Sequence, residues 1–427
     1  MLIRLRAAAA TALLTITTAC APSTASAPRG GASPEGSPAA AVAAHGRLER
    51  PAGLRLLRLW GTPEERGYAH GRLLAADIVA NLSKEFVSQF AQRPSLLEQA
   101  RAALPRLIDY PAELRRELDA LWRGVLSEEP DLFMPAFGRA FDQQDLLLAN
   151  AMDVFGLMGC SSFTMWGDEV DGGGVMTARN FDWHVTGEHI VNASLLIVQE
   201  HEDGRQVASF GWPGYIGTVS GVSGDGVAAY LHVGSARQAM PEPSSWPAAA
   251  AARMVLEAPE TGDARLRRAR ELVEYTSPPA GFLTHVVLPA VPASGVPAAV
   301  FETDTRRCVP GAPQPGPFVV TNHFRTREDG AAARADSLGR EERLQRGLTG
   351  CLEVGDLRVD AEEAWRMLSG VARGGGSYFG TLHSLVFRHD PWHFEARFAE
   401  LREGAVVAAP RSARRYRLTR EQVFGRR

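Results

Sequence analysis

One cysteine of the sequence stands in a context that favours nucleophilic chemistry. Cys160 follows Gly159 and precedes two serines in the stretch GCSSF. Glycine leaves the preceding peptide bond open to attack because it has no side chain, and the thiolate of a cysteine is a strong nucleophile. A buried structural role is the alternative, since free cysteine is among the most buried residue types.

Cleavage of the chain between Gly159 and Cys160 would place a free α-amine on the residue that carries the thiol. The ordinary pKa of an α-amine is about 8, so part of it is neutral near pH 7 and can act as a general base. One residue would then supply both nucleophile and base, and no histidine partner would be needed. The context therefore predicts self-cleavage, followed by acyl transfer through a thioester on Cys160.

A cluster of charged, amide and aromatic residues, RNFDW, follows at residues 179–183. Arg179 is expected to lower the pKa of the thiol, and Asp182 to hold the new α-ammonium group or a substrate amide. Residues three apart on a strand point to opposite sides, so Arg179 and Asp182 would reach one site only if the strand bends or ends between them. A surface charge pair beside core aromatic residues is the alternative.

Bulk composition excludes some classes of function. The net charge is -3, with 45% hydrophobic and 22% charged residues, which is ordinary for a globular protein and gives no reason to expect a nucleic acid partner. His184 and His189 have no further cluster of ligand residues, so no metal is expected, and no organic cofactor either. The expected partner is a small acyl amide or ester.

The first residues predict export. Residues 1–20 combine two arginines, a short apolar run and small residues, as in a secretory signal peptide. Cys20 lies where a bacterial lipoprotein carries its lipid-modified cysteine, so membrane contact is expected only through a lipid anchor. Cleavage after Ala27 with soluble secretion, or a misassigned start codon, are the alternatives. Residues 21–50 are rich in Pro, Ser, Gly and Ala and predict a disordered linker.

Export also affects how the other cysteines are interpreted. If Cys20 is lipidated, an odd number of cysteines remains, so at least one thiol is left out of any disulfide. Cys308 and Cys351 are candidates for a disulfide, which the sequence alone does not establish.

The predicted secondary structure changes from helical to β-rich at Cys160. From Gly61 to about Phe155 the apolar spacing predicts helices, whereas short β-rich runs separated by glycine turns follow Cys160. Further helices and strands alternate toward the end of the chain. Strands with helices segregated between them predict an α+β layered sandwich. The expected boundaries are a helical segment over 51–159 and a catalytic domain over 160–427.

Several motifs taken together resemble one family. GTPEERGYAHGRLLA, DLLLANAMDV, CSSF and ARNFDW, in this order, are similar to the penicillin acyltransferase-like family of self-cleaving cysteine hydrolases and acyltransferases. That family belongs to the N-terminal-nucleophile hydrolases. The resemblance runs from Gly61 to the last strands and implies a four-layer αββα sandwich. It also implies that the helical segment stays as a small subunit or is released after self-cleavage.

The resemblance assigns roles to individual residues. It makes Cys160 the nucleophile uncovered by cleavage of the Gly159–Cys160 bond. It makes Arg179 and Asp182 the pair that sets the electrostatics of the thiol and holds the new amino terminus.

Later motifs supply the remaining site residues. Asn322 in TNHF corresponds to an asparagine near the nucleophile, and Ser337 and Arg340 in DSLGREERL resemble a helix-borne arginine motif. The chain departs from the family in GVSGDGVAAYLHVG, where His232 stands near the place of an oxyanion-hole asparagine. A neutral histidine can donate a hydrogen bond to an oxyanion, so activity is still expected.

Two rival functions stay open. The same fold would suit a lipid amidase or a phospholipase B-like hydrolase, which a wide apolar pocket would favour. Alternatively, the chain is an anchored binding lipoprotein in which Cys160 is structural. Aromatic and proline residues are candidates for an acyl pocket, although core packing is the commoner role for such residues; they are Trp212, Pro213, Tyr215 and Phe379.

Overall fold

The computed structural model describes residues 41–155, 158–184, 187–234, 236, 243–311, 316–327, 333–354, 357–374 and 379–425. The predicted signal peptide with Cys20, and residues 21–40 of the expected linker, lie outside the described residues. The rest of that linker region is folded, contrary to the prediction. Strands β1 (Ala41–Ala43) and β2 (Gly46–Glu49) pair with each other, and β2 continues into a larger sheet through β3 (Leu56–Trp60).

The larger sheet has ten strands. After β1, β2 and β3 its order continues with β8 (Leu195–Glu200), β9 (Gln206–Gly211), β10 (Ser220–Ser223), β11 (Ala228–Val233), β12 (Phe282–Val287), β13 (Ala298–Thr303) and β14 (Cys308–Pro310). All neighbours are antiparallel except β3 and β8, which are parallel. The sheet therefore includes three strands, β1, β2 and β3, from the part of the chain that precedes Cys160.

The smaller sheet has six antiparallel strands. Its order is β15 (Phe318–Val320), β6 (Met158–Trp166), β7 (Val175–His184), β16 (Phe379–Arg388), β17 (His393–Phe398) and β20 (Tyr416–Arg417). Two short ribbons accompany the sheets, β4 (Phe133–Met134) with β5 (Arg139–Ala140), and β18 (Glu400–Arg402) with β19 (Ala405–Val407). Cys160 thus lies inside the smaller sheet, on its second strand.

The helices cover the outer faces of both sheets. Helices α6 (Ala248–Glu257) and α7 (Gly262–Val273) pack on the larger sheet, and α8 (Ala335–Thr349) and α9 (Ala361–Val371) on the smaller one. The two sheets bury a shared core that includes Phe210 and Tyr230 from one sheet and Leu385 and Phe387 from the other. This arrangement confirms the predicted four-layer αββα sandwich.

The segment before Cys160 is largely helical, as predicted. It contains α1 (Pro63–Phe90), α2 (Pro94–Leu107), α3 (Ala112–Ser127) and α4 (Gln143–Asn150). Thr62 and Glu65 form a capping box that starts α1. Helices α1 and α3 approach closely at Gly67, Gly71 and Gly124. Only glycine fits there, because a Cβ at any of these positions would overlap backbone atoms of the partner helix. Two short helices complete the fold, α5 (Glu188–Asn192) and α10 (Arg420–Phe424).

The candidate disulfide between Cys308 and Cys351 is not formed. Cys308 packs with residues of α6 and α7 outside the larger sheet, whereas Cys351 packs with α8 and α9 outside the smaller sheet. The sandwich itself separates the two thiols. Within the described ranges, no helix is both long and apolar enough to span a membrane.

Candidate active site

The backbone of Cys160 is held by side chains on one side. Strand β15 ends at Val320, which pairs with Ser162, so this neighbour stops short of Cys160. Beyond it, Asn322 Oδ1 accepts the Cys160 N–H at 2.7 Å, and Arg340 donates to the Cys160 carbonyl oxygen. The backbone N–H and C=O of Cys160 are therefore bound on this side by the side chains of Asn322 and Arg340 and not by a strand.

The thiol lies against a buried arginine. Arg179 Nη2 donates to Cys160 Sγ at 2.9 Å, and both residues are fully buried. Arg179 is fixed further by the Leu231 carbonyl oxygen at 2.5 Å and by Ser220 Oγ at 3.2 Å. Among the described residues, no carboxylate lies within ion-pair distance of this guanidinium. Its charge is therefore available to the thiolate.

Burial raises the pKa of the Cys160 thiol, Arg179 opposes this shift and Asp182 adds to it. The lowering by Arg179 agrees with the sequence prediction, but burial has the larger effect, so the pKa of the thiol is raised overall. Desolvation outweighs one cation because the thiolate loses all contact with water. The thiol is accordingly neutral near pH 7 in this buried position.

Asp182 approaches the Gly159–Cys160 bond from the other side. Strand β7 does not end between the two residues, so Arg179 and Asp182 point to opposite faces and lie on the two sides of this bond. Asp182 is the cross-strand partner of Gly159, and its Oδ1 accepts from Thr381 Oγ1 at 2.7 Å. Its Oδ2 is buried and accepts no hydrogen bond from the described residues. Arg373 Nε lies 3.6 Å from that oxygen.

His232 lies beneath the nucleophile in a polar network between the sheets. Its Nε2 is 2.9 Å from Ser162 Oγ, and Arg179 Nη1 lies 3.1 Å from Nε2 and 3.2 Å from Nδ1. Burial, and then Arg179, lower the pKa of His232 well below its ordinary value, so the ring is neutral. Its role as an oxyanion donor stays a prediction, because the ring nitrogens already contact Ser162 and Arg179.

The other members of this network were not predicted from the sequence. His285 Nδ1 also lies 2.9 Å from Ser162 Oγ, and burial lowers the pKa of His285 to about 3. His383 Nε2 is 2.9 Å from Ser220 Oγ, the same hydroxyl that receives Arg179. The alternation of β6 gives one signal, since Ser162 shares a face with Cys160. No local sequence signal indicated His285 and His383, because they lie on strands that are distant in sequence.

Asn322 and Arg340 form one unit. Arg340 Nη2 donates to Asn322 Oδ1 at 2.7 Å, and Asn322 Nδ2 donates to the Val233 carbonyl oxygen at 2.8 Å. Ser337 Oγ accepts the Asn322 N–H at 2.7 Å. The structure therefore brings the predicted residues into one connected site, comprising Gly159, Cys160, Arg179, Asp182, His232, Asn322, Ser337 and Arg340.

The other surroundings of Cys160 are apolar. Its cluster contains Phe181, Trp183 and Trp212, and Tyr215 packs against it. Pro213 is buried next to them, and the side chain of Phe379 lies outside the described residues. Two of the four candidate pocket residues thus share a cluster with the nucleophile.

Metal ligands are not grouped in the described part of the chain. No set of three His, Cys, Asp or Glu side chains is placed there to hold an ion. His189, one of the two histidines considered from the sequence, pairs with Glu85 of α1 at 2.9 Å.

Comparison with known proteins gives one related sequence and several similar folds. An uncharacterised protein of Archaeoglobus fulgidus is 28% identical over 241 residues, which is 50% of this chain and 38% of that protein. This chain therefore spans well under two thirds of the length of that relative. The N-acylethanolamine-hydrolyzing acid amidase ortholog of Caenorhabditis elegans is 16% identical, with a TM-score of 0.38 over 53% of this chain and 92% of that one.

Two bacterial structures are similar at the same level. A conjugated bile acid hydrolase variant from Clostridium perfringens is 12% identical, with a TM-score of 0.37 over 61% of this chain and 96% of that one. Penicillin V acylase from Agrobacterium tumefaciens is 16% identical, with a TM-score of 0.34 over 56% and 83% of the two chains. Similarity at this level shows neither activity nor substrate.

A family match covers more than half of the chain. Residues 170–402 match the acyl-coenzyme A:6-aminopenicillanic acid acyl-transferase family. The matched range includes Arg179, Asp182, Asn322 and Arg340 and begins after Cys160, so the role of the thiol rests on the geometry around it. The chain belongs to the acyl-coenzyme A:6-aminopenicillanic acid acyl-transferase family.

Proposed function

We propose that this protein is a self-processing cysteine amidohydrolase or acyltransferase with Cys160 as its nucleophile. One observation carries the proposal: the Gly159–Cys160 peptide lies between Arg179 on the thiol side and Asp182 on the other. A binding protein with a structural cysteine would not require this arrangement.

In the self-cleavage step, Cys160 Sγ attacks the Gly159 carbonyl carbon. The Gly159–Cys160 C–N bond breaks as the C–S bond forms, and the thiol proton ends on the released Cys160 amine. Water then hydrolyses the thioester, which gives a Gly159 carboxylate and restores the thiol. Asn322 Oδ1 already accepts the Cys160 N–H, and Asp182 Oδ2 can receive the α-ammonium group.

The processed enzyme would repeat this chemistry on a substrate. The α-amine of Cys160 takes the thiol proton, Sγ attacks the acyl carbon, and the proton passes to the leaving amine. Water or a second amine resolves the thioester, which distinguishes hydrolysis from transfer. The donors to the oxyanion would be backbone N–H groups together with Asn322 Nδ2 or His232. Each of these two side chains would first have to leave the hydrogen-bond partners that it has in this structure.

The apolar cluster next to Cys160 supports an apolar acyl group. Phe181, Trp183 and Trp212 belong to the same cluster as the nucleophile. Aromatic walls suit aryl-acyl and fatty-acyl chains alike. The same observation favours a lipid acyl amide as a second candidate substrate on this fold.

The segment before Cys160 would remain bound as a small subunit. Its strand β3 pairs with β8 inside the larger sheet, and Glu117 of α3 forms a buried ion pair with Arg253 of α6 at 2.7 Å. Loss of the segment would expose the edge of β8 and leave Arg253 without Glu117. Export with a lipid on Cys20 is part of the same proposal and rests on the sequence pattern of residues 1–20.

The direct test is to trap the acyl-enzyme. Processed protein would be mixed with an aryl-acyl or fatty-acyl amide, quenched in acid and measured by intact mass. We expect the fragment that begins at Cys160 to gain the mass of the acyl group, and a Cys160→Ala variant to gain nothing. Product formation by the Cys160→Ala variant at the rate of the parent would overturn the thioester mechanism.

A further inference from the structure

We infer that Asp336 is a positioning residue that couples two arginines on either side of the Gly159–Cys160 bond. The inference rests on the proposed function, since it concerns the reaction at that bond. Asp336 lies in the first turn of α8, one turn before Arg340. Its side chain is 49% exposed, whereas that of Arg340 is 1% exposed. Asp336 therefore reaches the site from the solvent side.

One oxygen of Asp336 binds both arginines. Oδ2 accepts from Arg340 Nε at 3.1 Å and also accepts from Arg373 Nη2. Arg340 uses its terminal nitrogens for the Cys160 carbonyl oxygen and for Asn322 Oδ1. A guanidinium group is a rigid plane, so fixing Nε on Asp336 orients the two terminal nitrogens toward the nucleophile.

Arg373 stands on the Gly159 side of the bond. Its Nε lies 3.6 Å from Asp182 Oδ2, and a Cβ built on Gly159 would lie 3.1 Å from its Nη1. Thr381 Oγ1 accepts the Arg373 N–H at 2.9 Å and donates to Asp182 Oδ1 at 2.7 Å. Asp336 thus links Arg340 on the Cys160 side with Arg373 on the Gly159 side.

The charges around the thiol make a positioning role distinguishable from a purely electrostatic one. Arginines at 179, 340 and 373 face carboxylates at 182 and 336, so the site carries an excess positive charge until the thiolate forms. Removal of the Asp336 charge makes the site more positive, which favours the thiolate. It also releases Arg340 from its orientation. A positioning role therefore predicts a more acidic thiol together with a slower reaction.

The test follows self-cleavage of freshly synthesised chains by intact mass across the acidic to alkaline range. For Asp336→Asn we expect cleavage to slow by about 10-fold to 100-fold at its best pH, because small misplacements of reacting groups cost this much. The midpoint of the pH profile is expected to move to lower pH. An unchanged rate, a faster rate near pH 7, or a slower rate with an unmoved midpoint would each overturn the inference.

Controls separate this effect from general damage to helix α8. Glu342→Gln removes the same charge from the same helix at an exposed pair with Arg346, where N and O are 3.7 Å apart, and should leave rate and profile unchanged. Arg373→Gln is a second route that does not depend on whether Asp336→Asn folds. It should slow cleavage and move the midpoint to higher pH, and an unchanged rate would count against the coupling.

Failure of the inference can be told from failure of the proposed function. A parent chain that is cut at Cys160, together with an unaffected Asp336→Asn variant, removes Asp336 from the account and leaves the nucleophile in place. A parent chain that stays uncut overturns both.

Discussion

Two networks of buried charge differ in how completely their charges are paired. At the interface between α3 and α6, Glu117 receives Arg253 on both oxygens, Gln199 on one and Arg66 on the other. Burial alone would raise the pKa of Glu117, yet Arg253 and Arg66 hold it below its ordinary value. This network satisfies its anion, so it serves to join elements.

The network around Cys160 leaves its groups incompletely paired. Arg179 faces a neutral thiol whose pKa burial raises, and no described carboxylate pairs with this arginine. On the other face, Asp182 Oδ2 is buried without a hydrogen bond from the described residues, and its ion-pair contact with Arg373 Nε is long, at 3.6 Å. Both groups would gain partners if the peptide bond broke, through a thiolate and an α-ammonium group. The two networks thus differ at their anions, since both oxygens of Glu117 accept hydrogen bonds whereas one oxygen of Asp182 accepts none from the described residues.

The largest expected effect is on the structural network. Glu117→Gln would leave two buried arginines without their shared anion, and we expect unfolding free energy to fall by about 3–5 kcal/mol near pH 7. Urea unfolding followed by tryptophan fluorescence measures this. Glu113→Gln, an exposed residue of the same helix, should change it by less than about 0.5 kcal/mol.

The stability difference between the parent chain and Glu117→Gln is expected to depend on pH. Because the folded pKa of Glu117 is lowered, its contribution is complete above the unfolded value of about 4.3 and is lost as pH falls through the folded value. The stability difference between parent and Glu117→Gln should therefore shrink in acid. A difference that grows as pH falls below 4.3 would contradict the pairing described.

Arg179→Gln should strongly affect self-cleavage and have little effect on stability, which is the reverse of the expectation for Glu117→Gln. Loss of the cation next to the thiol raises the thiol pKa further, so self-cleavage should slow by about 100-fold or more and its profile move to higher pH. Stability should be unchanged, or higher by up to about 2 kcal/mol, because an unpaired buried charge is removed.

Time courses of intact mass, with thermal unfolding in parallel, compare this variant with Arg268→Gln, an exposed arginine of α7 paired with Glu271. The control should match the parent in both measurements. A large stability loss in Arg179→Gln with normal cleavage would reverse the assignment of the two networks.

The smallest effect is expected at Gly159. A Cβ there would lie 3.1 Å from Arg373 Nη1 and 3.2 Å from the Asp182 Cβ, so Gly159→Ala must push these groups slightly apart. Self-cleavage should slow by about tenfold, with a stability loss of about 1 kcal/mol. Gly370→Ala on α9, where a Cβ meets no atom within 4 Å, should cleave normally and gain about 0.5–1 kcal/mol. Normal cleavage by both variants would show that the scissile bond tolerates displacement.

Local patterns predicted much of this structure. The change from helical to β-rich patterns at Cys160 predicted strand β6. The family resemblance carried by the order of the motifs implied that Asn322 and Arg340 share a site with Cys160, although they are far away in sequence. The layered sandwich followed from strands with segregated helices. These features depend on neighbouring residues or on motif order, which a single sequence contains.

Features set by packing could not be predicted in this way. The raised thiol pKa depends on complete burial, and Asp336 joins Arg340 and Arg373 only because α8 and the end of α9 meet at β6 and β7. The folding of residues 41–50 depends on β3 being present as a partner strand. Asp336 was not predicted as a site residue. The one local signal for it was its i,i+4 spacing to Arg340 on a predicted helix.

The intact masses of the purified parent chain and of Cys160→Ala test the central claim most directly. The account predicts two fragments that meet at Gly159 and Cys160 in the parent, and one uncut chain in the variant. A single uncut chain in both would contradict self-cleavage and favour a binding protein with a structural cysteine.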